Sequence, residues 1–206
     1  AVPSGLLVAY TTYLATDIAS APFLWVLPLA AFLVTFILTF TDRPPISHEW
    51  MLRLQPVALG FALFGLSVMG ALGWVISVPT CAAAFLVTTM IAHWELYMRR
   101  PEAVNLTEFY LWMSFGGVLG GMFAALAAPR LFNSIWEFPL LLVVGLACRS
   151  GVIAECRQPG RIRALARTAA IGLVVIVAAA VMTRAGFIAR KDVVLVSLIE
   201  IGRAHV

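Results

Sequence analysis

Charge is scarce in this sequence. Asp, Glu, Lys and Arg make up only 12% of its 206 residues, against about 25% in a typical soluble domain. A small soluble fold leaves much of its surface in water, and there is too little polar material here to cover one. Cysteine is also rare. Cys81, Cys148 and Cys156 form no CxxC pair and no Cys/His cluster, which excludes a zinc site and argues against a disulfide framework. All three read as small hydrophobic filler. His48, His93 and His205 have no companions at metal-ligand spacing, so no metal or other cofactor is expected. Nucleophile–base pairs are lacking as well, and no catalytic residue is assigned within these residues. The chain has no low-complexity segment, no clear internal repeat, and no loop long enough to hold a soluble domain.

What is abundant is apolar. Hydrophobic residues make up 62% of the chain, and the mean hydropathy is +0.99. A membrane-spanning helix needs about 20 mostly apolar residues. Candidate spans are 22–40, 54–76, 80–97, 109–128, 131–148 and 168–182. A shorter apolar stretch, 2–14, is either part of a span or re-entrant, and a further run begins at Val193. The expected fold is an all-α, polytopic transmembrane bundle of six to eight spans, forming a single domain over 1–199. Truncation at both ends is expected, with no signal peptide to remove: the chain opens on Ala1, with no charged segment ahead of an apolar one. The closing string 200–206 resembles the translation of a sequencing-library adapter and is set aside as non-native.

Prolines mark the expected boundaries. Pro44 and Pro45 follow the first full span, Pro79 marks a tight turn between two spans, Pro101 ends another, and Pro129 separates the next pair. Pro28 is expected to kink its helix, and Pro139 stands early in its own. Loop charge predicts orientation. Arg43, Arg53, Arg99, Arg100, Arg149, Arg157, Arg161, Arg163 and Arg167 fall in one alternate set of loops. Arg130, Arg184, Arg190 and Lys191 fall in the other. Nine against four places loops 42–53, 98–107 and 149–167 in the cytoplasm. The pI of about 9.4 follows from the same arginines. No basic patch is interleaved with exposed aromatics, so nucleic acid is not an expected partner; the lipid bilayer is.

Three groups of residues are candidates for function. Gly116, Gly117, Gly120 and Gly121 hold two overlaid GxxxG spacings, which let another helix backbone approach closely. Packing inside the bundle and a homodimer contact both use such a stripe. Gly60, Gly65, Gly70 and Gly73 give a second, similar stripe. Thr16 and Asp17 belong to a polar break between apolar stretches. Asp17 reads either as a helix cap or as a carboxylate facing a cation. His93 and Glu95 end one span and Glu108 opens the next. Helical spacing puts Thr89, His93 and Tyr97 on one face. Interfacial ion pairing with Arg99 or Arg100, and a proton or cation site built from His93, Glu95 and Glu108, are the two readings. Glu137 is placed to favour a helix N-terminus by its charge.

Several strings are familiar as a set. They are Val2-Pro3-Ser4-Gly5-Leu6-Leu7, Thr11-Thr12-Tyr13-Leu14, Thr16-Asp17-Ile18-Ala19 and Leu24-Trp25-Val26-Leu27-Pro28-Leu29-Ala30. With them go Glu95-Leu96-Tyr97, Leu106-Thr107-Glu108-Phe109-Tyr110-Leu111-Trp112-Met113-Ser114 and the glycine motif at 116–121. Over roughly residues 1–150 the sequence resembles the membrane-spanning region of bacterial spermidine synthase-like fusion proteins. These join a multi-span region to a C-terminal polyamine aminopropyltransferase-like domain of Rossmann type, and some relatives are labelled permeases. The resemblance implies a bacterial inner-membrane protein with a C-terminal synthase-like domain in the same parent chain. That domain would use a decarboxylated S-adenosylmethionine-like donor and a polyamine-like acceptor. None of its motifs occurs here, so no catalytic residue carries over. The expected role is to anchor that domain or to present a polyamine-like cation at the membrane. A free-standing cation or small-molecule transporter and a structural membrane scaffold are the alternatives.

Overall fold

The computed structural model describes residues 1–15, 25–41, 46–67, 73–132 and 136–149. These are all-helical, with no strand among them. The helices are α1 (Val2–Tyr13), α2 (Val26–Thr39), α3 (His48–Ser67), α4 (Gly73–Met98), α5 (Leu106–Met122), α6 (Ala128–Leu131) and α7 (Glu137–Ala147). A 3-10 turn, Ala103–Asn105, leads into α5, and a π-helical turn, Phe123–Ala127, joins α5 to α6. Three helical segments are long and apolar enough to cross a membrane: His48–Ser67, Gly73–Met98 and Ala103–Leu131. Helices α2 and α7 are shorter apolar helices. The candidate span 168–182 and the run from Val193 lie outside the described residues, as do Thr16, Asp17, Gly70 and Cys156.

Helix α1 sits among its neighbours, touching α2, α4, α5 and α7. Its buried residues Gly5, Leu6, Ala9, Tyr10 and Tyr13 recur at the spacing of one helical face. Their partners are Phe85 and Cys81 of α4 and Phe138, Leu141 and Leu142 of α7, which join them in one core. Tyr10 stacks on Phe85 with ring centroids 5.6 Å apart and lies as close to Phe138. The outer faces are apolar too. Leu33 and Ile37 of α2, Val57 and Phe61 of α3, and Leu111 and Val118 of α5 are exposed.

Helices α3 and α4 form an antiparallel pair. Near one end Gly65 lies so close to Ser77 and Thr80 that a side chain there would collide with both. At the other end His48 stacks on Trp94. Helix α2 runs parallel to α4: Phe32 and Phe36 meet the His93 ring, and one turn further on Phe40 meets Tyr97. The ends of α3, α4 and α7 that carry Arg53, Arg99, Arg100 and Arg149 therefore gather on one side. Arg149 reaches Leu52 across that end.

The prolines depart from the sequence expectation. Pro79 is not a turn between spans but lies inside α4, which runs unbroken from Gly73 to Met98. The boundary between 54–76 and 80–97 moves accordingly, to the interval between Ser67 and Gly73. An internal proline removes one helical hydrogen bond, here the one the Val75 carbonyl would accept, and hydroxyls bond the carbonyls beside it. Thr80 donates to the carbonyls of Ile76 and Ser77, and the Tyr10 hydroxyl donates to that of Val78. Pro129 likewise fails to separate two helices, and the chain turns extended only at Phe132. The preceding π turn widens the helix by one residue, which relieves the register a proline would otherwise break. Pro28 stands in the first turn of α2, not in mid-helix, where its missing N–H has no helical partner to lose. Pro56 is an internal proline within α3, and α3 begins at His48, six residues ahead of the expected start. Arg53 is therefore helical, not in a loop.

Candidate functional site

The interior polar groups gather at two levels of α4. The first surrounds Pro79. Tyr13 and Ser77 share a buried hydrogen bond of 2.5 Å between their hydroxyls, and the Tyr10 hydroxyl donates to the Val78 carbonyl at 3.0 Å. Tyr10 and Tyr13 face α4 together because they are three residues apart on α1. These bonds tie α1 to the stretch of α4 just before the proline.

The second level is His93. Its ring is 4% exposed, held edge-on by Phe32 and Phe36 with centroids 5.0 Å away. Nδ1 lies 3.3 Å from the Thr35 hydroxyl oxygen. That hydroxyl donates its own proton to the Phe32 carbonyl at 2.7 Å. A lone pair is therefore what Thr35 offers the imidazole, an arrangement that suits a ring protonated on Nδ1. Thr39 donates to the Thr35 carbonyl. One turn before His93 on the same face, Thr89 is fully buried and its hydroxyl has no partner. The face predicted for Thr89, His93 and Tyr97 is the one turned toward α2. This face of α4 carries a buried imidazole among aromatic rings, with one unpartnered hydroxyl a turn away.

The other candidates stand elsewhere. Glu95 meets Arg99 at 3.7 Å, one turn along the same helix. Glu108 is exposed on α5 and accepts from the Trp112 indole at 3.3 Å. Arg100 lies over the Tyr97 ring instead of on a carboxylate. His93, Glu95 and Glu108 thus occupy three different surroundings. Glu137 is buried in the first turn of α7, where unpaired amides favour a carboxylate. Among the described residues, no group of three His, Cys, Asp or Glu side chains is placed to hold a metal ion.

The glycine stripe faces α1. A side chain on Gly120 would collide with the backbone of Ala1, and one on Gly116 would press on the Ala1 nitrogen. Gly117 looks toward Ser4, while Gly121 faces open space. Sequence reasoning did not pick out Tyr10, Ser77, Thr35 or Gln55. Gln55 is 2% exposed within α3, and both its amide atoms lack partners. A polar amide inside an apolar run was the available signal. No protein-family model matches the chain, and no curated protein or solved structure matches it.

Proposed function

We propose that this chain is the membrane-embedded helical domain of a spermidine synthase-like protein and serves as its anchor. The supporting observation is the division of its surface. Exposed apolar side chains cover α2, α3 and α5, while Arg53, Arg99, Arg100 and Arg149 collect at one end, with Trp50 beneath Arg53. A bilayer accommodates the first, and the arginine-rich end belongs at the cytoplasmic face of a bacterial inner membrane. On this reading the described helices are part of a bundle of six to eight spans. Loops between 42 and 53, 98 and 107, and 149 and 167 lie in the cytoplasm. Anchoring is favoured over cation presentation because His93, Glu95 and Glu108 each have separate neighbours. Sequencing the native locus past Ile199 tests it. An in-frame Rossmann-type domain is expected, and a stop codon without one overturns the fusion reading.

A transporter is the second reading. It draws on the unpartnered Thr89 hydroxyl beside the buried His93 in a proline-containing helix, since polar groups buried inside a membrane bundle mark substrate and ion paths. Spermidine uptake into proteoliposomes that fails with His93→Leu would support it. Uptake that survives Asp17→Asn and Glu108→Gln would remove those two carboxylates from the path.

A further inference from the structure

The arginine-rich end holds most of the orphaned polar atoms. Among the described residues five buried side-chain atoms lack a hydrogen-bond partner: His48 Nδ1, both amide atoms of Gln55, Thr89 Oγ1 and Arg149 Nε. Four of the five belong to residues at the α3–α7 end of the bundle. Leaving such atoms buried and unpaired is costly, which favours a partner at this place.

Arg149 meets α3 at Leu52, between His48 and Gln55 in the helix. Arg149, just beyond α7, donates from Nη1 to the Leu52 carbonyl at 3.1 Å, which leaves Nε free. His48 precedes Leu52 by four residues and Gln55 follows it by three, so one helical face carries both past the guanidinium. Helical side chains lean toward the N-terminus, so Gln55 leans back along α3 toward the level of Leu52. The first amides of the 20-residue α3 open on the same end. Among the described residues, the charged groups around His48 have other partners or face outward. Glu95 and Arg149 lie within electrostatic range of His48, but Glu95 is met by Arg99. Glu49 is exposed in the first turn of α3, and Arg53 is exposed above Trp50.

We propose that this end of the bundle, between α3, α4 and α7, binds a phosphate group. The Arg149 guanidinium and the Gln55 amide donate to its oxygens, and His48 stands at the rim. The free donors, the helix N-terminus and the surplus of arginine all select an oxyanion, and basic recesses between helices at a membrane face take lipid headgroups. The shared chemistry is the phosphate, carried either by a phospholipid or by the free ion. The site rests on these side chains and not on the synthase-like reading.

The test uses the full 206-residue chain. It is placed in nanodiscs of digalactosyldiacylglycerol, which has no phosphate, with and without inorganic phosphate, and in nanodiscs of phosphatidylglycerol. A Tm rise of about 3 °C is expected near tenfold saturation. A rise in phosphatidylglycerol alone assigns a lipid headgroup, and a rise with inorganic phosphate assigns the free ion. Arg149→Gln and Gln55→Leu each remove most of the rise, whereas Arg130→Gln, whose parent guanidinium sits on the Leu126 carbonyl, keeps it. Gln55→Leu also raises the ligand-free Tm, so binding and stability move in opposite directions. No rise from either source, or a rise that both variants keep, overturns the site. The inorganic phosphate arm is repeated in maltoside detergent, where a rise assigns the free ion whether or not the chain enters a bilayer.

Discussion

Arg149 donates to the carbonyl oxygen of Leu52 at 3.1 Å, and that is the oxygen Pro56 cannot serve. In an uninterrupted helix the amide of residue 56 would return to the carbonyl of residue 52, but proline has no amide proton. A guanidinium just beyond α7 replaces an internal bond of α3. The proline thereby creates a docking point between two helices distant in sequence.

That substitution of partners predicts a coupling. Arg149→Met should destabilise the bundle by about 1.5–3 kcal/mol, the range for hydrogen bonds to charged groups. Pro56→Ala gives the Leu52 carbonyl a helical partner and should reduce that loss by about 1 kcal/mol. The check is a double-mutant cycle on unfolding free energy in mixed micelles. Strictly additive losses would mean that the two residues act independently.

The two tyrosines of α1 make a second prediction. Interhelical hydrogen bonds within membranes average about 0.6 kcal/mol. Tyr10→Phe should cost about that much, since the ring keeps its contacts with Phe85 and Phe138 and only the bond to Val78 is lost. Tyr13→Phe and Ser77→Ala remove opposite ends of one bond. Their double variant should therefore cost clearly less than the sum of the two, in the same unfolding assay.

How far the sequence foretold this depends on the residue. The helical character of the chain and the face shared by Thr89 and His93 were legible, because apolar content and a 3.6-residue period are properties of the string itself. Pro79 and Pro129 were misleading. A proline tends to break a helix in water; inside a bundle, packing carries the helix through it, and Thr80 and Tyr10 bond the neighbouring Ile76 and Val78 carbonyls. The unpaired state of Gln55 was not legible at all, because it depends on which side chains of α4 and α7 arrive opposite it.

The glycine stripe gives a third prediction, and its two halves should behave differently. Gly120→Ile forces a branched side chain into the backbone of Ala1 and should cost about 1–3 kcal/mol or more. Gly121→Ile meets nothing within 4 Å and should change stability little. If the stripe instead joined two copies of the chain, Gly121→Ile would be the variant to dissociate them. Unfolding and sedimentation of both variants in detergent separate these cases.

The last prediction concerns the thiols and decides orientation. Cys81 is fully buried in the core and Cys148 is exposed at the arginine-bearing end of α7. In a Cys156→Ser background, Cys148 should react with a maleimide while Cys81 stays silent until the protein is denatured, since a thiol without solvent access cannot present its thiolate. Applied to intact spheroplasts, a membrane-impermeant maleimide should leave Cys148 unlabelled, and disrupting the membrane should expose it. That order of events follows if Arg53, Arg99, Arg100 and Arg149 lie on the cytoplasmic side. Labelling of Cys148 in intact spheroplasts would put those arginines outside the cell and reverse the bundle, against the bias that arginines gathered on one side impose on insertion.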